Sequence, residues 1–251
     1  MLAARLCCVA ETHFDDWIAR HYRELWPEVF EPALLDAAVA VLAELAESGR
    51  ALEFGMGTGR VAVPLNASGV PVHGIELSTA MIDELRRQPD ASAVDVTLGD
   101  FATVTVDGSF RVVYLLRNTI TNLTTQAEQV ACFCNAARHL EPGGYFVIEN
   151  YIPELRRLPP GETKLVFTAT PTHVGVEEYD FVHQIGTSRH WWVIDAELKT
   201  FSSDHRYVWP SELDLMASIA GMTLWERWDD WYRAPFTSDS RSHISIWQKH
   251  T

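Results

Sequence analysis

Glu53-Phe-Gly55-Met-Gly57-Thr-Gly59 sets three glycines at alternate positions, directly after the apolar run Ala51–Phe54. Glycines so spaced let the backbone turn tightly and let a ligand approach the amides with no Cβ in the way. Two further acids stand where strands should end: Glu76 closing PVHGIE (71–76) and Asp100 in Gly99-Asp100-Phe101. Carboxylates accept pairs of hydroxyl groups, and backbone amides suit an anionic group. Many nucleotide-binding folds use such a loop, and spacing separates them. A dinucleotide fingerprint wants Gly or Ala three residues after the second glycine, where this chain has Arg60. A P-loop needs a terminal Gly-Lys-Ser/Thr, which is absent. What remains is E-x-G-x-G-x-G with an acid at the end of each of the next two strands.

Elsewhere, residues suited to bases or ligand walls are scattered. Asn118 follows the apolar run 110–116, at the edge where open α/β sheets bind ligands. Glu149-Asn150-Tyr151 ends a later strand, and His173, Glu178, Tyr179, His183, His190, Trp191 and Trp192 cluster beyond it. Period-two spacing predicts that Tyr179, Phe181 and His183 share one strand face, with His183 the candidate general base. Trp191 and Trp192 should point to opposite faces, one of them lining a pocket. Arg241, before the last strand, is a polar candidate for the acceptor site.

The elements that position these residues alternate. Helices are predicted over 11–24 and 31–48, the second with Leu34, Leu35, Ala38, Val41, Leu42 and Leu45 at helical spacing and Gly49 as its stop. Strand 51–54 is followed by a helix over about 59–68, strand 71–76, a helix capped by Ser78, strand 93–98 and strand 110–116. Thr125-x-x-Glu128 is a capping box that opens another helix, stopped by Pro142-Gly143-Gly144 before strand 145–151. Such alternation predicts an α/β parallel sheet wrapped by helices. Residues 160–208 change rhythm, with β-branched and aromatic residues and turn signals, and predict an antiparallel insertion. A helix then starts at Trp209-Pro210, burying Leu215, Met216 and Ile219, and strands near 222–228 and 242–248 close the chain.

The chain has 251 residues, of which 47% are hydrophobic, so it can bury a large core. Twenty Lys and Arg against 34 Asp and Glu give a net charge of −14, which argues against nucleic acid and anionic membranes as partners. Cys7, Cys8, Cys132 and Cys134 form neither a disulfide framework nor a zinc pattern, so no metal is expected and a cytoplasmic setting fits. The start, MLAARLCCVAETHFDD, is too short and poorly flanked for a secretory signal, and no apolar stretch is long enough for a membrane helix.

With its glycine loop, Glu76 in GIELSTAMI, Gly99-Asp100-Phe101 and LEPGG (140–144), the chain resembles class I S-adenosylmethionine (SAM) dependent methyltransferases. The resemblance implies a Rossmann-like sheet flanked by helices, with N-terminal lid helices and an antiparallel β insertion after strand 5. It implies lid helices over 1–48, a SAM-binding core over 49–152, a substrate cover over 153–208 and closing elements over 209–251, as one domain. Glu53, Gly55, Gly57 and Gly59 would hold the methionine end of SAM, Glu76 the ribose hydroxyls, and Leu77, Met81, Asp100 and Phe101 the adenine. The N-terminal piece His13-Phe14…Trp17…His21-Tyr22 resembles a lid helix in which a tyrosine covers the methyl donor, which makes Tyr22 a second catalytic candidate.

The implied reaction is methyl transfer to a small molecule, with S-adenosylhomocysteine as product. Asn118-Thr-Ile-Thr-Asn122 stands where nucleic-base amino methyltransferases carry N/D-P-P-Y, which disfavours that class. Asn118, Tyr151, Tyr179, Trp191 and Arg241 are the acceptor-binding candidates. NTITNLTTQ, YVWPSELDLMASIAGM and RAPFTSDS resemble actinobacterial natural-product methyltransferases, among them those that methylate indole C3 of tryptophan-containing cyclic dipeptides. The insertion also resembles that of sugar N-methyltransferases. Two alternatives therefore stand beside the indole reading: an N-methyltransferase of an amine or amino sugar, and a non-catalytic SAM-binding regulatory protein.

Overall fold

A computed structural model describes residues 14–250. Cys7, Cys8 and His13 lie outside the described residues. Helix α1 (Asp16–Leu25) starts where Asp15 accepts the amides of Trp17 and Ile18 at 3.0 and 2.9 Å. Phe14 and Asp15 are outside the helix, and residues 11–13 of the predicted span lie outside the described residues. A tight turn, Pro27–Phe30, leads into α2 (Pro32–Ala46). Glu47, not Gly49, takes the left-handed conformation after α2, with φ 52°. Gly49 has a different reason to be glycine: a Cβ there would lie 2.5 Å from the Arg111 Cβ.

Strands β1 (Ala51–Phe54), β2 (Val72–Glu76), β3 (Asp95–Leu98), β4 (Phe110–Leu115) and β5 (Leu140–Tyr151) form the parallel part of a seven-stranded sheet. Helices α3 (Ala62–Ala67), α4 (Thr79–Arg86) and α5 (Gln126–His139) connect them. Both predicted caps form: Ser78 accepts the Met81 amide, and Thr125 and Glu128 exchange hydrogen bonds as a capping box. The chain then lays down a second, antiparallel sheet of β6 (Lys164–Ala169), β7 (His173–Asp180), β8 (Ile185–Ile194) and β9 (Glu197–Arg206). It returns through α6 (Pro210–Ile219) to β10 (Met222–Trp228) and β11 (Ser242–Lys249). The large sheet has the order β10-β11-β5-β4-β1-β2-β3, with β11 antiparallel to β5.

Two apolar layers sandwich the large sheet. One holds Leu52, Phe54, Phe133, Phe146 and Trp247 under α5 and α6, and the other holds Leu42, Leu65, Val112 and Tyr114 under α2 and α3. Each side chain of leucine size so buried contributes roughly 1.5–3 kcal/mol. In α6 the buried residues are Leu213, Met216 and Ala217, which correct the sequence reading. Leu215 and Ile219 are 62% and 60% exposed, because spacings of three and four from Leu213 define the face that meets α5. The antiparallel sheet is tied to the core by Arg206. Its guanidinium bonds Gln129 of α5 and, at 2.6 Å, Glu212 of α6. That anchor fixes the end of β9 against α5 and α6.

Candidate active site

Because the strand order reverses between β4 and β1, a crevice opens at their carboxyl ends. It is a cavity of about 400 Å³, walled by the glycine loop, the ends of β2 to β4, and α1. Gly57 has φ +58° and a Cβ there would meet no atom within 4 Å, so the position faces open space. Its amide donates to Glu76 Oε2 at 2.7 Å, while Glu76 Oε1 accepts the Ser78 amide at 2.8 Å. Glu76 is 7% exposed, and burial raises its pKa against the pull of those backbone bonds. A carboxylate fixed on one side by two amides keeps lone pairs for two hydroxyl groups on the other.

Glu53 is buried on β1, and desolvation pushes its carboxyl up to about 8. Its one hydroxyl partner is Tyr114, paired with it in the β1–β4 register, which donates to Glu53 Oε2 at 3.1 Å. A cationic group arriving in the cavity would stabilise the ionised form. Leu77, Met81, Asp100 and Phe101 line the far end, and Phe101 stacks on Phe54 at 5.7 Å. Gly55 is also on the wall. Gly59 serves packing: a Cβ would lie 2.3 Å from Leu85 of α4. The arrangement thus suits a ligand with an ammonium group, a pair of hydroxyls and a flat ring, which is the chemistry of SAM.

The lid contributes Phe14 and Tyr22 to the wall. Tyr22 packs against Phe14, Trp26 and Phe30 with centroids 6.1, 5.2 and 5.9 Å away. Burial raises its pKa above the usual phenol value, so its hydroxyl is protonated at neutral pH. Arg60 and Arg117, two wall residues to which the sequence reading gave no site role, hold the Pro27–Phe30 turn: Arg60 donates to the Val29 carbonyl and Arg117 to Glu28, each at 2.9 Å.

Several acceptor-side expectations need correction. His183 is not on a strand, because β7 ends at Asp180 and residues 181–184 form the β7–β8 turn. Its side chain is 73% exposed and bonds Asp180 at 2.7 Å, so it shares no face with Tyr179 and does not enter the cavity. Arg241 is also on the surface, 76% exposed beside Glu154. Trp191 faces outward, while Trp192 packs inward against Trp26 of the lid at 5.8 Å. Asn118 is a backbone fastener. At φ 63° it follows Arg117 at φ 56°, and its Oδ1 accepts the Tyr151 amide at 2.8 Å. Tyr151 and Tyr179 do come together beneath the antiparallel sheet, near Glu177.

Tyr114, Arg60 and Arg117 were not singled out as site residues in the sequence, whereas Glu149 stood in the strand end Glu149-Asn150-Tyr151. Glu149 accepts the Arg117 amide at 3.0 Å and the Trp231 indole at 3.3 Å, steadying the turn after β4. Tyr114 carried one signal, a lone phenol inside an apolar strand. Among the described residues no cluster of three or more His, Cys, Asp or Glu could hold a metal. No described helix is long and apolar enough to cross a membrane.

With this geometry in place, likeness to known proteins becomes informative. Residues 51–144 match the family model described as "Methyltransferase domain". The chain is 36% identical to the CcbJ methyltransferase of Streptomyces caelestis, with a TM-score of 0.85 over 96% of this chain and 99% of that one. It is 28% identical to the cypemycin N-terminal methyltransferase of a Streptomyces species, over 79% of this chain and 82% of the relative. The fold is shared with SAM-bound CalS10, an amino pentose methyltransferase of Micromonospora echinaspora, at 21% identity and a TM-score of 0.68, covering 91% and 96% of the two chains.

Proposed function

The chain belongs to the SAM-dependent methyltransferase family, and on that premise we propose that it methylates an amine nitrogen of a small natural product. The observation that carries this reading is the polarity of the cavity beyond the cofactor residues. Thr119, Asn122, Thr124, Glu128 and Asp204 line it there. Acids and hydroxyls at that mouth suit a cationic or hydroxylated acceptor. Trp26 instead meets His190, Trp192 and Phe201 edge to face, so these rings fill the space between the N-terminal helix and the antiparallel sheet with one another. Of the relatives named above, one is an N-terminal methyltransferase and one an amino pentose methyltransferase, which favours an acceptor that carries an amine.

When bound, SAM supplies a methyl group on a positively charged sulfur, so the protein has to hold, orient and desolvate the partners. In this reading Glu76 takes the ribose hydroxyls. Glu53 faces the methionine ammonium, and the amides of the Gly55–Gly59 loop face its carboxylate. Leu77, Met81, Asp100 and Phe101 enclose the adenine. Tyr22 closes the methyl side from the lid and offers its hydroxyl as a hydrogen-bond donor. Arg60 and Arg117 keep the lid turn seated, which excludes water.

The test is an assay of the purified protein with methyl-labelled SAM and four acceptors: L-prolinamide, alanylglycine, a methyl 4-amino-4-deoxyglucoside and a cyclic tryptophan dipeptide. Label on nitrogen in one of the three amines is the expected result. Label on indole C3 of the cyclic dipeptide alone would replace the amine reading with the indole one.

A further inference from the structure

The inner face of the antiparallel sheet carries a polar cluster for which the cofactor has no use. Strand alternation puts Glu177 and Tyr179 of β7, Gly186 and Ser188 of β8, and His205 of β9 on this face, with Glu177 paired to Ser188 and Gly186 to both Tyr179 and His205. His205 Nε2 lies 2.7 Å from Glu177 Oε1, and the Ser188 hydroxyl donates to Glu177 Oε2 at 2.7 Å. Gly186 makes room for the pair: a Cβ there would lie 2.3 Å from Glu177 Oε1 and 2.8 Å from His205 Nε2. From below, Tyr151 at the carboxyl end of β5 sets its ring edge-on to His205 at 6.2 Å. The Tyr151 hydroxyl is buried with no hydrogen-bond partner among the described residues. Such a group costs stability unless something satisfies it.

Position gives the cluster its meaning. On one flank the Tyr151 amide is held by Asn118, whose neighbours Arg117 and Thr119 line the cavity. On the other flank His190, on the same sheet face, meets Trp26 at 6.2 Å, and Trp26 packs on the cavity residue Tyr22. The cluster therefore spans the gap between the β4–β5 edge and the lid. His205 keeps 14% of its side chain exposed.

We propose that Glu177, His205 and Tyr151 form the acceptor's nitrogen subsite, in which His205 removes the proton from the acceptor ammonium. This rests on the amine reading above. An ammonium has no lone pair with which to attack. One N–H bond breaks, the proton passes to the His205 imidazole, and the electron pair returns to nitrogen. Glu177, whose Oε1 lies 2.7 Å from His205 Nε2 and accepts no hydrogen bond among the described residues, stabilises the imidazolium that results. The proton then leaves to water. His205 is the catalytic residue; Glu177 is a positioning residue acting through it. The titratable groups facing His205 from the other strands are Glu177 and Tyr179 of β7, His190 of β8 and Tyr151 of β5. Burial lowers His190 to about 4 and raises Tyr151 and Tyr179, so these three are neutral at pH 7.

The experiment uses the full chain and whichever of the three amines is turned over fastest. His205→Ala is expected to lower kcat about 100-fold at neutral pH. The deficit should shrink as pH approaches the amine's own pKa. Glu177→Gln is expected to lower kcat less and to move the acid limb of the pH–rate profile downward. Tyr151→Phe is expected to raise KM for the amine several-fold. Affinity for S-adenosylhomocysteine by titration calorimetry should stay within about twofold in all three. His205→Gln keeps the size and cannot take the proton, so it decides the matter should His205→Ala unfold. A readout free of turnover is the His205 ring proton by NMR in the S-adenosylhomocysteine complex, expected to shift when the amine binds. Wild-type turnover in His205→Gln, or loss of S-adenosylhomocysteine affinity in it, overturns the proposal. If the wild type binds S-adenosylhomocysteine but methylates indole C3 only, the amine reading fails and this subsite falls with it.

Discussion

The cofactor cleft and the cover differ in how they are built. The cleft draws its key groups from short contiguous stretches, Glu53–Gly59, Glu76–Met81 and Asp100–Phe101, each at the end of one strand. Within such a stretch the distance between two groups is set by a few backbone angles. Gly57 and Glu76 meet because β1 and β2 are adjacent parallel strands in register. The cover draws its groups from three strands, a lid and a core strand, and Glu177, His205 and Tyr151 meet only because separate pairings bring them together. Motifs report the first kind of site, and the second kind leaves no motif.

That contrast can be broken at the cleft. Glu76→Ala should weaken SAM binding by about 1–3 kcal/mol, roughly 5- to 150-fold, because it removes the charged acceptor of two hydroxyls and strands the Gly57 and Ser78 amides. Titration calorimetry reads this directly, and unchanged affinity would move the ribose elsewhere.

Next in size is a pH effect from Glu53. Its carboxyl titrates near 8 in the free protein, so at pH 7 it is largely protonated. An ammonium beside it lowers that value, and binding must release the proton. SAM affinity should therefore rise with pH, by up to about tenfold per unit below pH 8, and level off above it. Calorimetry in buffers of different ionisation enthalpy should detect proton release at pH 7; proton uptake would contradict the assignment.

The smallest effect sharpens the other side. His183→Ala should leave both turnover and SAM affinity at wild-type values, since its ring sits on an exposed turn. A loss of turnover there would mean that the β7–β8 turn, not the inner face of the cover, meets the acceptor.

Much of the cleft was legible because strand ends, glycines and caps act over a few residues. Ser78 and Thr125 cap the helices as read, and the glycine loop lies on the cavity. Leu215 and Ile219 were misjudged because an apolar stripe on a short helix does not reveal which side meets a neighbour. His183 was misjudged because moving the strand end by three residues turns a strand residue into a turn residue, and its face is lost with it. Tyr151 and Tyr179 were chosen as acceptor residues, but their company was invisible. Glu177 and His205 are 28 residues apart, and no local pattern links them.

The sequence by itself determined the alternation of strands and helices, the glycine loop and the acids that end β1 and β2, because backbone geometry and side-chain period act locally. Tertiary structure alone decided which acids are buried, which histidine faces inward, and that Tyr114 meets Glu53. Burial and charge are properties of neighbours brought from distant parts of the chain. A carboxyl pushed to about 8 exists only once the β1–β4 pairing and the layers around it have excluded water.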